Sequence, residues 1–267
     1  MIVVTTPTGL IGHQVLNNLL ASDEPIRVIA RDPSRLPAHT RERVEIVQGS
    51  HGDLEVVTRA FAGADSVFWL VPPDPHAESV EAAYVDFSRP ACYAFKNQGV
   101  KRVVGVSALG RGTPWAAHAG LVTASLAMDN LIASTGVSYR ALTMPSFMDN
   151  LLRQIESIKN QGLFSLPICG DLKQPSCATR DIAAVGACLL LNHSWSGVAS
   201  RPVLGPEDLS YNDMARIMSE AMAQGYLDMW VAYDQGLDTA EPRTPESTTS
   251  TSFRQWCEDV LRPAVLV

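Results

Sequence analysis

Over the first half of the chain, short runs of apolar residues alternate with stretches whose apolar positions recur every three or four residues. Ile2–Thr5 is a β-branched run and predicts a first strand. In residues 10–21 the apolar positions Ile11, Val15, Leu16, Leu19 and Leu20 fall on one helical face. The same alternation predicts strands at Ile26–Ala30, 44–47, 66–71, 102–107 and 138–143. It predicts helices at 54–62, at 77–98 up to Gly99, and at 118–134 up to Gly136. Strands that are near-continuous Val, Ile and Leu runs, separated by helices, imply a parallel sheet buried on both faces. Right-handed crossovers then give an α/β fold with a doubly wound, Rossmann-type sheet.

After Pro145 the rhythm changes. A helix is predicted at 147–161, an extended piece at 163–167 and a helix at Thr179–Leu191, where Asp181 would favour the helix dipole. Helical patterns at 211–222 and 226–234 join into one helix if it passes Gly225. Residues 238–252, rich in Thr, Ser, Pro and Glu, read as an extended connection, and 253–261 as a closing helix.

The first strand-to-helix turn is Thr5-Thr6-Pro7-Thr8-Gly9-Leu10-Ile11-Gly12. A glycine-bearing turn opening a helix aims free backbone N–H groups at a pyrophosphate. Gly9 would let the backbone approach the phosphates, and Gly12 would let the helix pack closely. Thr6 stands where such loops have their first glycine. Alone, the two glycines equally suit a turn that needs small residues and binds nothing. The end of the second strand adds to the picture. Sites for NAD place an acid about 20 residues past the glycines, on the ribose 2′-hydroxyl. Here Arg31 lies 19 residues after Gly12, with Arg35 four further on. Guanidinium groups there suit a 2′-phosphate, so NADP(H) is the preferred cofactor. Asp32 keeps NAD(H) open, and both arginines could instead be solvated loop charges. Ser50 and His51 follow the third strand, where they either flank an adenine or form a turn capping the next helix through Asp53. Val71, Pro72 and Pro73 follow the fourth strand and would wall the nicotinamide half.

Composition narrows the classes. The net charge is −7, which argues against a general nucleic-acid-binding face. No apolar run approaches the length of a membrane span, and no basic stretch with an apolar core opens the chain, so neither a membrane anchor nor a signal peptide is expected. Five cysteines without a CxxC pair suggest free thiols, a cytoplasmic location and no metal site.

Five segments carry a family likeness: VVTTPTGLIG, VIARDPSRL, FAGADSVFWLVPP, RVVGVSALGRG and STGVSYRALTMPSFMDNLL. In order and spacing they resemble the NmrA-like group of atypical short-chain dehydrogenases/reductases, from residue 1 to about 190. RTPESTTSTSFRQWCEDVLRP resembles the tail of bacterial members. The resemblance implies an NAD(P)-binding Rossmann domain over 1–150. A smaller substrate or lid region would follow over 151–267, with a segment near 176–192 returning to the first domain. It implies one of two functions. One is an NADPH-dependent reductase of a small apolar electrophile, such as a quinone, a ketone or a biosynthetic intermediate. The other is a non-catalytic redox sensor that binds NADP(H) and a regulatory protein partner. The region 217–224 is shorter than the group's usual helix, strand and helix, which puts the usual lid in doubt.

Catalysis departs further. Short-chain dehydrogenases use a Ser after the fifth strand and a Tyr-x-x-x-Lys on the next helix, the Tyr serving as general acid. Ser107 supplies the hydroxyl and also sits where it would touch the cofactor. Residues 118–129 contain neither Tyr nor Lys, and Ser125 falls where relatives keep Lys. His118 is the substitute acid, or else a solvated helix-start residue. Thr123 and Ser125 are weaker donors, and Tyr84 and Tyr93 read as packing residues. Ser125, Phe147, Met148 and Asn150 are the expected substrate-pocket residues, and Met144-Pro145 would shape the loop beside the nicotinamide.

Overall fold

The computed structural model describes residues 1–235, 244–245, 248 and 250–265. Most of the connection expected at 238–252 lies outside the described residues. The chain forms β1 (Ile2–Thr5), α1 (Leu10–Leu19), β2 (Ile26–Ala30), α2 (Ala38–Arg41), β3 (Glu45–Gln48), α3 (Leu54–Phe61) and β4 (Ser66–Trp69). A π-helical turn, Ala82–Asp86, leads into α4 (Phe87–Asn97), then β5 (Arg102–Ala108), α5 (Leu121–Ala133) and β6 (Ser138–Met144). Next come β7 (Ser146–Phe147), α6 (Ile155–Gln161), β8 (Gln174–Cys177), α7 (Thr179–Leu191), β9 (Val198–Pro202), β10 (Asp208–Leu209) and α8 (Tyr211–Asp234). The last described elements are α9 (Phe253–Trp256), a π-helical turn at Cys257–Leu261, and α10 (Arg262–Val265).

Seven parallel strands form the main sheet in the order β3-β2-β1-β4-β5-β6-β9. This is a Rossmann-like α/β fold. Side chains of β1 alternate between its faces: Val3 joins the core on one side, Ile2 and Val4 the core on the other. The first core packs under α3, α4 and α5, the second under α1 and α7.

Three elements differ from the sequence pattern. The seventh strand, β9, is exposed along its length, so no apolar run marks it. It is fixed instead by backbone pairing to β6 and by Arg140, whose guanidinium lies 4.5 Å from the Trp195 ring and bonds the Ser196 and Gly197 carbonyls. The helix expected from residue 77 starts later, at Val80, where the Ser79 hydroxyl caps it by accepting the Ala82 N–H at 2.9 Å. The helix expected at 147–161 is split: residues 146–147 pair with β8, and Met148–Gln154 is a 3-10 segment before α6. Gly225 does not interrupt α8.

The compact units are Met1–Tyr211 and Asn212–Val267, so the division falls well after the expected residue 150. Residues 151–211 belong to the first unit, including β8 and α7, where α7 packs on α1. The second unit contains most of α8 with α9, the second π turn and α10. Among the described residues no helix is long and apolar enough to cross a membrane.

Candidate cofactor and substrate cleft

Strand order reverses between β1 and β4, and the carboxyl ends of β1, β2, β4, β5 and β6 open there onto one cleft of about 1790 Å³. Such a reversal leaves a crevice between loops that run to opposite faces of the sheet. All of its wall comes from the first compact unit.

The phosphate-loop residues Thr6, Thr8, Gly9, Leu10, Ile11 and Gly12 line one end. Thr5 locks the strand that delivers them: its hydroxyl donates to the Phe68 carbonyl at 2.9 Å and accepts the Leu70 N–H at 3.0 Å. Thr6 takes the glycine place with φ at +52°, the left-handed region that glycine favours, and its carbonyl accepts the Gly9 N–H at 2.9 Å. Gly12 cannot carry a side chain, since a Cβ there would stand 2.0 Å from the Thr6 carbonyl oxygen. Gly9 starts α1 without a side-chain cap, and the first helical bond is His13 N–H to Gly9 carbonyl at 3.0 Å. The N–H groups of Leu10, Ile11 and Gly12 therefore have no acceptor among the described residues. The Thr6 hydroxyl oxygen is buried and has no hydrogen-bond partner among the described residues. A negatively charged phosphate would suit such a set of donors.

Arg31 and Arg35 line the cleft at the end of β2, exposed, and neither guanidinium has an ion-pair partner among the described residues. Asp32 is engaged locally. Its Oδ1 accepts the Ser34 hydroxyl at 2.6 Å and the Ser34 N–H at 3.0 Å, capping a 3-10 turn at Pro33–Arg35. These bonds, with the Arg35 charge, hold its carboxyl below the usual range. Ser50 and His51 line the cleft, and Asp53 also caps α3 through the Glu55 N–H. The loop thus caps α3 and also borders the cleft. The His51 Nε2–H donates to the Leu70 carbonyl at 3.0 Å, and the ring meets Trp69 and Phe87 edge-on. Burial, then the Arg31 charge, outweigh that bond and push its pKa down to about 4. His51 is neutral at ordinary pH.

At the other end, Val71, Pro72 and Pro73 form one wall, and Ser107, Ser125, Phe147 and Asn150 another. Met144 and Pro145 also line the cleft. Two expected residues are not on the wall. His118 ends an exposed 3-10 turn, Ala116–His118, because α5 does not begin until Leu121. Met148 is also off the wall, its methyl lying beside Gly205. The Thr123 hydroxyl is used within the chain, donating to the Ala116 carbonyl and accepting the Ala119 N–H, both at 2.8 Å. Tyr93 is an exposed surface residue.

Ser107 belongs to a buried network that the sequence pattern does not reveal. Its hydroxyl donates to Asp129 Oδ2 at 2.5 Å, and the Tyr139 hydroxyl donates to Oδ1 at 2.6 Å. Arg111 reaches the same carboxyl at 3.3 Å. Tyr139 reaches it by crossing β5 at Gly105, where a Cβ would stand 2.3 Å from the phenol oxygen. Burial raises the Asp129 pKa against the two hydroxyls and the guanidinium. An acid at 129 among the apolar positions 126, 128 and 132 of α5 was the available signal. Tyr84, expected to be packing, borders the cleft from the π turn. Asp149 on the substrate side accepts the Thr179 N–H and hydroxyl at 2.8 and 2.7 Å, and Gln14 of α1 donates to that hydroxyl at 2.9 Å.

The sequence profile of the NAD(P)H-binding family matches residues 7–192, which run from within the phosphate loop through β2, β3, β4, β5 and β6 to the end of α7. The chain belongs to the NAD(P)H-binding family. A relative from Streptomyces griseus, (4-alkanoyl-5-oxo-2,5-dihydrofuran-3-yl)methyl phosphate reductase, is 30% identical over 84% of this chain and 74% of its own length. The NAD(P)H azoreductase of Xenophilus azovorans is 27% identical over 83% of this chain and 73% of its own. An Escherichia coli NADPH-dependent quinone oxidoreductase, solved with NADPH, superposes with a TM-score of 0.71. It is 22% identical, and the match covers 84% of this chain and 76% of that one, a likeness of fold. The family's NAD(P)H fits the residues present. The Thr6–Gly12 loop would hold the pyrophosphate, and the residues around Ser107 would meet the nicotinamide.

Proposed function

We propose that this chain is an NADPH-dependent reductase of a small, fairly apolar electrophile: a quinone, a ketone or a biosynthetic intermediate. The observation that carries the reading is the continuity of the cleft. One opening joins a phosphate cradle to a chamber walled by Leu109, Leu121, Val122, Met144 and Phe147. Reductases among the relatives support it. When bound, NAD(P)H supplies a hydride to an electron-poor carbon. The protein's part is to hold the acceptor close, exclude water with apolar walls and stabilise the charge that develops. Preference for NADPH rests on Arg31 and Arg35, neither in an ion pair among the described residues, and on Asp32 being taken up by Ser34. Within the family we place the chain nearest the NmrA-like group, on the five segments quoted above. The five cysteines are all free thiols, which supports a cytoplasmic location.

The test is NADPH oxidation by purified protein against quinones, azo compounds and α,β-unsaturated ketones. Turnover with at least one is expected. Tight NADPH binding without turnover of any acceptor would favour the second reading, a non-catalytic sensor, for which the lack of Tyr and Lys on α5 speaks. A sensor would bind NADP⁺ and NADPH with unequal affinity.

A further inference from the structure

We propose that the Tyr84 hydroxyl is the hydrogen-bond donor to the negative charge that develops on the substrate, a role otherwise filled by a tyrosine on α5. This rests on the reductase reading above. The case begins with the donors that are not free. The hydrogen of Ser107 is committed to Asp129, which also takes Tyr139 and Arg111, so Ser107 turns lone pairs toward the cleft. Thr123 is used twice within the chain. The His51 N–H is bound to the Leu70 carbonyl, and His76 is exposed.

Tyr84 is different. It lines the cleft, is only 9% exposed, and its hydroxyl makes no hydrogen bond to the protein among the described residues. With the ring buried and the hydroxyl left without a protein partner on a cleft wall, the phenol is free to bond what binds there. It sits in a π-helical turn, a feature concentrated at functional sites, and that turn packs on α5. The phenol is thus presented from the neighbouring element to the region where α5 lacks one. Burial raises its pKa above the usual 10, so it stays protonated at neutral pH. Ser125 also lines the cleft, but an aliphatic hydroxyl is a much weaker donor.

The step balances with NADPH as reductant. Hydride adds to the electron-poor carbon, and the displaced π electron pair moves onto the oxygen or nitrogen. The Tyr84 O–H bonds to that atom and passes its proton across. Water entering the open cleft restores the phenol, so each turnover consumes one hydride and one solvent proton.

The experiment compares wild type, Tyr84→Phe and Tyr93→Phe. With an acceptor the wild type reduces, Tyr84→Phe should lower kcat about 100-fold, the scale for losing one donor to a developing oxyanion. NADPH affinity and melting temperature should be unchanged, and Tyr93→Phe, at an exposed position off the cleft, should stay within about threefold of wild type. A second arm titrates p-nitrophenolate into the NADP⁺-loaded protein. Tyr84→Phe should bind it about tenfold more weakly, as expected for a lost hydrogen bond to a charged group. A Tyr84→Phe protein with wild-type turnover overturns the proposal and leaves the reductase reading standing. If the wild type reduces no acceptor, the reductase reading fails and the p-nitrophenolate arm alone decides Tyr84. Equal affinity there, or no binding by the wild type, overturns it.

Discussion

The two ends of the cleft are built from different materials. The phosphate end is made of backbone: three free N–H groups at the start of α1, the Thr6 carbonyl and the space left by Gly12. The far end is made of side chains drawn from separate elements: Ser107 on β5, Asp129 on α5, Tyr139 on β6, and Tyr84 on a π turn. A backbone site must be contiguous, because N–H groups that converge on one anion come from successive residues. A side-chain site need not be. The difference predicts that the first end fails abruptly when one atom is added, while the second loses function in increments.

The largest effect should come from Gly12→Ala. Its new Cβ would overlap a main-chain carbonyl that the Gly9 N–H also holds, so neither can yield without breaking the loop. NADPH binding measured by fluorescence should weaken by more than about 100-fold, or about 3 kcal/mol. An affinity within tenfold of wild type would break the contrast between the two ends.

Replacing Arg31 and Arg35 together by Ala probes the charged side chains at the phosphate end. The loss for NADPH should be about 10- to 100-fold, the scale of charge-assisted bonds to one phosphate. NADH should change less than about threefold, since it lacks that phosphate. Parallel losses for both cofactors would mean that the arginines act through the loop itself.

Asp129→Asn sharpens the comparison through pH. Burial raises the folded-state pKa of Asp129 above its ordinary 3.8. A carboxyl raised on folding adds stability while protonated in both states, and loses that contribution as pH climbs through the raised value. Wild-type melting temperature should therefore fall, relative to Asp129→Asn, as pH rises from about 4 through the raised pKa. Asp65 acts in the opposite sense and in another window. Lys101 and the N-terminal ammonium hold its pKa near 2, so its contribution is lost as pH falls from about 4 toward 2. Parallel melting curves for the two proteins above pH 4 would show that Asp129 does not titrate against the fold.

Thr6→Gly should have the smallest effect. Relief of the left-handed backbone, about 1 kcal/mol, is offset by the greater freedom glycine has in the unfolded chain. Melting temperature should move by only about 1–2 °C, while loss of the unbonded hydroxyl should weaken NADPH binding a few-fold.

The same division explains what the sequence made legible. The sheet through β6 was readable because strands buried on both faces must be apolar throughout. The phosphate loop was readable because its parts are neighbours in the chain. Hidden were β9, an exposed edge held by pairing, and the boundary near 211, which depends on where β8 and α7 return. The Asp129 network was hidden because Ser107, Asp129 and Tyr139 meet only in three dimensions. Tyr84 and Tyr93 look alike as letters on one stretch, yet one borders the cleft and the other faces solvent. His118 failed for a local reason: the glycine at 120, with φ at +56°, delays the helix and leaves the imidazole outside.

The Thr6–Gly12 contact also bears on how such loops can be edited. Only one of the two positions is interchangeable. Position 6 asks for a backbone angle, which several residues can adopt at modest cost, whereas position 12 asks for empty space, which only one residue leaves. In a library that randomises both, survivors should be diverse at 6 and uniform at 12. A search pattern that insists on the first glycine would pass over this chain, and one anchored on the glycine facing a carbonyl would find it.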